Sequence, residues 1–132
     1  MTMPGFLLDT HTLLWFVEDD PRLGATARGV IETTNEDLAV SLVSVWEIAV
    51  KQSIGKLSLT MPLDEFIDQR IVGAGFVLLP IERAHLVHVA TLPLHHRDPF
   101  DRLLAAQCLV EKLAVLSADA CFDHYGVTRH WA

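Results

Sequence analysis

Four short apolar runs, each followed by a helical pattern, constrain the fold of this chain more than any other feature. The runs are Phe6–Leu8, Leu38–Val40, Phe76–Leu79 and Ala114–Leu116. Each run is apolar throughout rather than alternating, a pattern typical of strands that are buried on both faces of a parallel sheet. The chain is therefore predicted to be an α/β protein, a three-layer α/β/α sandwich with a mostly parallel central sheet.

Helical spacing of apolar residues fills the intervals between these strands. The predicted helices are Thr10–Val17, Ala25–Ile31, Ser41–Lys51, Leu63–Val72, Glu82–Ala90 and Pro99–Lys112. The last of them has the apolar stripe of a helix packed on a sheet. The tail is predicted to form a short helix at Asp119–Phe122 and an edge strand within Gly126–Trp131.

Length and composition predict one domain that covers residues 1–132, since 132 residues with 51% hydrophobic content suit a single core. No segment approaches the roughly 20 apolar residues that a membrane span requires, so we expect a cytoplasmic protein without membrane contact. Cys108 and Cys121 lie far apart and form no paired motif, which predicts buried core thiols rather than a disulfide or a zinc site.

The net charge of −7 argues against a nucleic-acid binder with a broad basic face. The objection weakens if several of the acidic side chains converge on cations. Phosphate groups would then meet metal ions before they met the charge of the protein.

Acidic residues fall where the predicted strands end. Asp9 directly follows the first strand, Asp119 follows the last apolar run by a few residues, and Asp98 and Asp101 open a helix. Glu47 lies near the start of the helix after the second strand. Because sites in parallel sheets form beyond the carboxyl ends of the strands, we expect these carboxylates to converge. Carboxylates in such a cluster repel one another unless protons or cations neutralise them, and Mg²⁺ or Mn²⁺ is the natural ligand.

Local roles compete with this interpretation for three of the acids. Asp98 and Asp101 suit the start of a helix, with Asp98 as the N-cap and both charges favoured by the helix dipole. Asp119 could likewise cap a short helix. Asp9 has no such simple explanation, because an acid placed directly after a buried strand costs solvation unless it is paired.

The role of Glu47 depends on which serine caps its helix. With Ser44 as the N-cap, Glu47 completes a capping box and is occupied in local bonding. With Ser41 as the N-cap, Glu47 lies one turn further into the helix and is available to the acidic cluster.

Four stretches around these acids resemble the PIN-domain family, and specifically the VapC-type toxins of bacterial toxin–antitoxin pairs. They are LLDTHTLLW at residues 7–15, SLVSVWEIAVKQSIGKL at 41–57, LPLHHRDPFDRLLAAQ at 92–107 and LSADACFDHYGV at 116–127. The resemblance covers nearly the whole chain.

The resemblance implies a metal-dependent endoribonuclease that uses Mg²⁺ or Mn²⁺ to hydrolyse RNA. Its four catalytic and metal-binding acids would be Asp9, Glu47, Asp101 and Asp119. It also implies a cognate antitoxin protein that inserts near the active site, and a homodimer. The family often has a small polar residue two places after the first acid, where this chain has His11, so one contact to that acid is in doubt.

Several neighbours of the acids are candidates for supporting roles. Those that could orient the acids or a bound water are Asp98, Thr10, His11, Ser44 and Ser117, and a core or capping role is an equal alternative for the hydroxyl residues. Arg97 and Arg102 are candidates for RNA phosphate contacts, or else for pairing with the acids beside them.

Three other protein classes are alternatives to the nuclease. A haloacid-dehalogenase-like phosphatase needs a second aspartate at the position of His11, and a receiver-like domain needs a phosphoacceptor aspartate where Ser41 ends the second strand. The more serious rival is a non-catalytic PIN-like module that binds RNA or a protein partner without cleavage.

Overall fold

A five-stranded, wholly parallel sheet forms the centre of the fold in the computed structural model, which describes residues 4–95 and 97–131. The strands are β1 (Pro4–Leu8), β2 (Asp37–Ser41), β3 (Val77–Leu79), β4 (Ala114–Leu116) and β5 (Arg129–His130). They lie in the order β3-β2-β1-β4-β5. Strand β1 is therefore central, with β2 and β3 on one side of it and β4 and β5 on the other. The predicted parallel α/β architecture is confirmed.

Six α-helices surround the sheet in the described part of the chain. They are α1 (Thr10–Val17), α2 (Ala25–Thr33), α3 (Leu42–Ser53), α4 (Leu63–Phe66), α5 (Arg83–Thr91) and α6 (Pro99–Glu111). Helix α4 continues as a π-helix over Ile67–Val72, and 3-10 helices occupy Pro21–Leu23 and Ala120–Tyr125.

Two predicted elements differ from the structure near the C-terminus. The tail helix is a 3-10 helix that runs to Tyr125 rather than ending at Phe122. The edge strand is only two residues long, because the chain first turns at Gly126, whose φ is +76°, before it pairs with β4. The spacing of residues along the sequence does not predict the length of an edge strand.

The core lies on both faces of the sheet. Leu7 and Leu8 are adjacent in β1 and fully buried, yet they belong to opposite clusters: Leu7 packs with α6, and Leu8 packs with α1 and α3. Because both faces are covered, every side chain of the strand centre must be apolar, which explains the lack of alternation.

Cys108 and Cys121 are free thiols in the core, as expected. Trp15 and Trp131 are half-buried and contact each other, whereas Trp46 is 48% exposed. Across residues 4–95 and 97–131, no helix has the length and apolar character to cross a bilayer.

Candidate active site

Asp9 lies at the carboxyl end of the central strand and is only 6% exposed. It is the N-cap of α1, and its Oδ1 accepts a hydrogen bond from the Thr12 N–H at 2.8 Å. Its Oδ2 accepts a hydrogen bond from the Ser117 hydroxyl. Burial raises the pKa of Asp9, and the hydrogen bonds from Ser117 and Thr12 offset only part of that effect.

Ser117 joins two of the acids across the sheet edge. It directly follows β4, donates to Asp9, and accepts a hydrogen bond from the Asp119 N–H at 2.9 Å. The Asp119 carboxylate is exposed and caps the 3-10 helix by accepting from the Cys121 N–H at 2.9 Å. The predicted cap role of Asp119 is therefore seen, and only one of its two carboxylate oxygens is used by that cap.

Asp98 is the N-cap of α6, as its sequence context predicts. Its Oδ1 accepts from the N–H groups of Phe100 at 2.8 Å and Asp101 at 3.2 Å. The same oxygen serves both donors, so the side chain is oriented by the backbone of the helix that it starts.

Asp101 lies among all the other candidate acids. Its pKa is raised to about 7, chiefly by burial and then by the charges of Asp98, Glu47, Asp119 and Asp9. Contacts link three of the acids directly: carboxylate oxygens of Asp101 and Asp119 lie within 4.8 Å of each other, and Ser117 bonds to both Asp9 and Asp119. Asp9, Asp101 and Asp119 therefore lie together at one edge of the sheet.

Glu47 is supplied by α3 and is 4% exposed. Ser41 is the N-cap of this helix, accepting from the Val43 N–H at 2.9 Å, so the capping-box alternative with Ser44 is wrong. Glu47 Oε1 instead accepts from the Thr10 hydroxyl at 2.6 Å, and Lys51 Nζ lies 2.6 Å from Oε2.

Ser44 extends this network rather than capping the helix. Its hydroxyl oxygen lies 2.9 Å from that of Thr10. Because a hydroxyl has one proton and a carboxylate can only accept, Thr10 donates to Glu47 and the Ser44 hydroxyl is left to donate to Thr10. The two hydroxyls therefore form one hydrogen-bonded chain that ends on Glu47 Oε1.

Cys121 is a site neighbour that the sequence analysis missed. Its Sγ and carboxylate oxygens of Asp101 and Asp119 all lie within 4.8 Å of one another. Burial raises the pKa of the Cys121 thiol, with Asp101 and Asp119 adding to the effect. The protonated thiol suits a packing role, and the oxygen-rich remainder of the site fits Mg²⁺ or Mn²⁺. Its position two residues after Asp119 was the only signal in the sequence.

Arg102 turns away from the acids. Its guanidinium donates to the carbonyls of Pro93 at 2.9 Å, Val89 at 3.2 Å and Leu92 at 3.4 Å. Val89 is in the last turn of α5 (Arg83–Thr91) and Leu92 is its C-cap, so Arg102 of α6 caps the C-terminal end of α5. Arg97 is exposed and is the better candidate for a phosphate contact.

His11 is exposed and stacks on Trp15, with ring centroids 5.7 Å apart. Its charge lowers the pKa of Asp9 only weakly, as the last of several causes. The departure from the family pattern at this position therefore adds an aromatic surface beside the site.

Comparison with known proteins identifies the fold and the family. The PIN domain matches residues 6–127. Ribonuclease VapC16 of Mycobacterium tuberculosis is 31% identical over 72 residues, an alignment that spans 52% of this chain and 51% of that protein, so the match reaches only about half of the curated relative.

Solved structures share the fold at low sequence identity. DNA-bound VapBC from Salmonella typhimurium superposes with a TM-score of 0.72 at 15% identity, covering 97% of this chain and 98% of that chain. FitAcB from Neisseria gonorrhoeae gives a TM-score of 0.70 at 19% identity, covering 96% of each chain. With a family match that covers most of its length and a sheet edge lined by the expected acids, this chain belongs to the PIN-domain family.

Proposed function

We propose that this protein is an endoribonuclease that depends on Mg²⁺ or Mn²⁺ and hydrolyses RNA phosphodiesters. The observation that carries the proposal is the position of Asp101, whose pKa is raised by burial and by four surrounding carboxylates. Such a concentration of negative charge is costly in a folded protein unless cations bind to it. The relative named Ribonuclease VapC16 supports the same reaction.

The residues that would hold the ion are Asp9, Glu47, Asp101 and Asp119. When bound, a divalent cation neutralises the acids, lowers the pKa of a water molecule and stabilises charge on the phosphate. Ser117 fixes Asp9 and Asp119 relative to each other, because it donates to one and accepts from the backbone of the other. Thr10 holds Glu47 at the edge of the same cluster.

The substitution Asp9→Asn tests the proposal. Asparagine caps helices about as well as aspartate, so the bond from the Thr12 N–H is retained and the fold should remain at least as stable. Cleavage should fall by more than about 100-fold. Loss of a residue that only orients a metal ligand lowers activity by at most about 100-fold, so a larger loss indicates a ligand.

Asp20→Asn is the matched control for this experiment. Asp20 also caps a helix, accepting from the Arg22 N–H at 2.9 Å, and it lies outside the acidic cluster. Both variants and the wild type should be incubated with structured RNAs in Mg²⁺, Mn²⁺ or EDTA. If all three proteins bind RNA but none cleaves it in either metal, the non-catalytic module replaces the nuclease.

We further propose that the protein is the toxin of a toxin–antitoxin pair, that it binds a cognate antitoxin and that it forms a homodimer. One of the similar solved structures is described as a toxin–antitoxin complex from Klebsiella pneumoniae. The described surface also exposes several large apolar side chains, namely Trp46, Leu86, Val87 and Leu94, which a protein partner could cover. Two buried free thiols suit the reducing cytoplasm as its location. Light scattering of the isolated chain measures the oligomeric state.

A further inference from the structure

Lys51 occupies a position beside the acids that the proposed reaction does not explain. Its ammonium nitrogen lies 2.6 Å from Glu47 Oε2, one helical turn away on α3. The carboxylate is almost wholly buried, with 5% of its side chain exposed, whereas the lysine side chain is 33% exposed. This is therefore not an ordinary surface ion pair, since one partner has lost its access to water.

Both oxygens of Glu47 already have donors. Oε1 accepts from Thr10 at 2.6 Å, and Oε2 is paired with Lys51. Each carboxylate oxygen has a second lone pair, but a divalent cation that approached Oε2 would meet the Lys51 ammonium group only 2.6 Å from that oxygen, and the two cations repel each other. Thr10 is buried, with 5% of its surface exposed, and its hydroxyl is bonded to Ser44, whereas the Lys51 side chain is partly exposed and flexible. Lys51 is the group that can leave.

We propose that Lys51 is a resident cation on Glu47 that a divalent ion must displace, so that this lysine sets the metal affinity of the site. The inference rests on the proposed function, because it assumes that the acidic cluster binds Mg²⁺ or Mn²⁺. In the metal-free protein, the ammonium group of Lys51 neutralises the buried carboxylate of Glu47. Once an ion binds, the released ammonium remains beside the site as a positive charge of the protein itself.

The variant Lys51→Gln tests the proposal by removing the charge while keeping an N–H donor for Glu47 Oε2. Titration calorimetry with MgCl₂ or MnCl₂ alone should show a Kd about tenfold lower than that of the wild type, because the ion no longer competes with the ammonium group. A tenfold change in Kd corresponds to about 1.4 kcal/mol of binding free energy. Lys51→Arg keeps the cation and should restore wild-type affinity. Melting without metal and with metal checks that each variant is folded.

Lys56→Gln is the control for net charge. Lys56 is exposed just beyond the end of α3, and no ion pair to it is found within residues 4–95 and 97–131. Its loss changes the total charge by the same amount, so it should leave the metal affinity unchanged.

Three results would overturn the inference. If Lys51→Gln binds both ions as the wild type does, or if Lys56→Gln tightens binding equally, Lys51 does not compete for Glu47. If Lys51→Arg also binds tenfold more tightly, the effect comes from packing rather than charge. These results differ from failure of the proposed function, which would appear as a wild-type protein that binds neither ion.

Discussion

Individual carboxylates in this site have distinct local partners, although all of them share one edge of the sheet. Asp98 and Asp119 accept from backbone N–H groups, Asp9 accepts from a hydroxyl and a backbone group, and Glu47 has a lysine and a threonine. Because the four carboxylates have different hydrogen-bond partners, replacement by the corresponding amide should affect stability and cleavage differently at each position.

Asp98→Asn and Asp101→Asn should separate a helix cap from a metal ligand. Asparagine keeps the acceptor for the Phe100 and Asp101 N–H groups, so Asp98→Asn should cost little stability and little cleavage. Asp101→Asn should abolish Mg²⁺ binding and cleavage, while the loss of repulsion offsets a dipole interaction worth about 0.3–1 kcal/mol. Calorimetry and RNA cleavage measure both effects. An inactive Asp98 variant together with an active Asp101 variant would move the third ligand to Asp98.

Asp101 also predicts how the stability of the metal-free protein depends on pH. Its folded pKa of about 7 lies above the ordinary value of 3.8, so the folded state retains a proton that the unfolded state has released. The free energy of unfolding should therefore fall as pH rises from about 4 to about 7. The raised pKa of Asp9 acts in the same direction.

Urea unfolding at several pH values in EDTA checks this dependence. The Asp101→Asn variant should show a shallower decline than the wild type, and saturating Mg²⁺ should remove the difference between pH values. Parallel curves for the two proteins in EDTA would mean that Asp101 is not buried among charges.

Helix α3 shows how one element connects the sheet to the site. Ser41 ends β2 and caps α3, and its hydroxyl donates to Gln107 Oε1 of α6 at 2.5 Å while it accepts from Val43. Gln107 is fully buried and also donates to the Pro80 carbonyl at 3.1 Å. The start of α3, and with it the position of Glu47, is therefore held by Gln107 of α6, which is itself bonded to the Pro80 carbonyl after β3.

Ser41→Ala should destabilise the protein by about 1–2 kcal/mol, because it removes the cap and leaves Gln107 with an unsatisfied oxygen. Ser53→Ala on the same helix is the control, since the Ser53 hydroxyl is exposed and donates to the Val50 carbonyl within α3. Urea unfolding gives both values. Equal stabilities of the two variants would show that the buried bond contributes nothing.

On the scale of the whole molecule, metal binding should stabilise the fold. Binding to the native state alone adds about 1.4 kcal/mol at roughly tenfold excess over Kd. Millimolar Mg²⁺ or Mn²⁺ should therefore raise the Tm of the wild type, and Ca²⁺ should do so without supporting cleavage. Asp101→Asn should show little response. A wild-type Tm that is indifferent to all three ions would contradict the metal site.

Patterns along the sequence determined the architecture and the membership of the acidic cluster. Uniformly apolar strands such as Phe6–Leu8 can only be buried on both faces, which requires a parallel sheet with helices on either side. The carboxyl ends of such strands meet at one edge, so the positions of Asp9, Asp119 and the start of α6 in the sequence predict that they converge.

Only the tertiary structure decided what each side chain near the cluster contacts. Thr10 bonds to Glu47 across 37 residues, and Ser117 bonds to Asp9 across 108. Arg102 caps α5 instead of lying with the acids, and Cys121 lies beside Asp101. Periodicity and capping rules describe neighbours within a turn or a strand, whereas these contacts depend on how separate elements pack, which no local pattern contains.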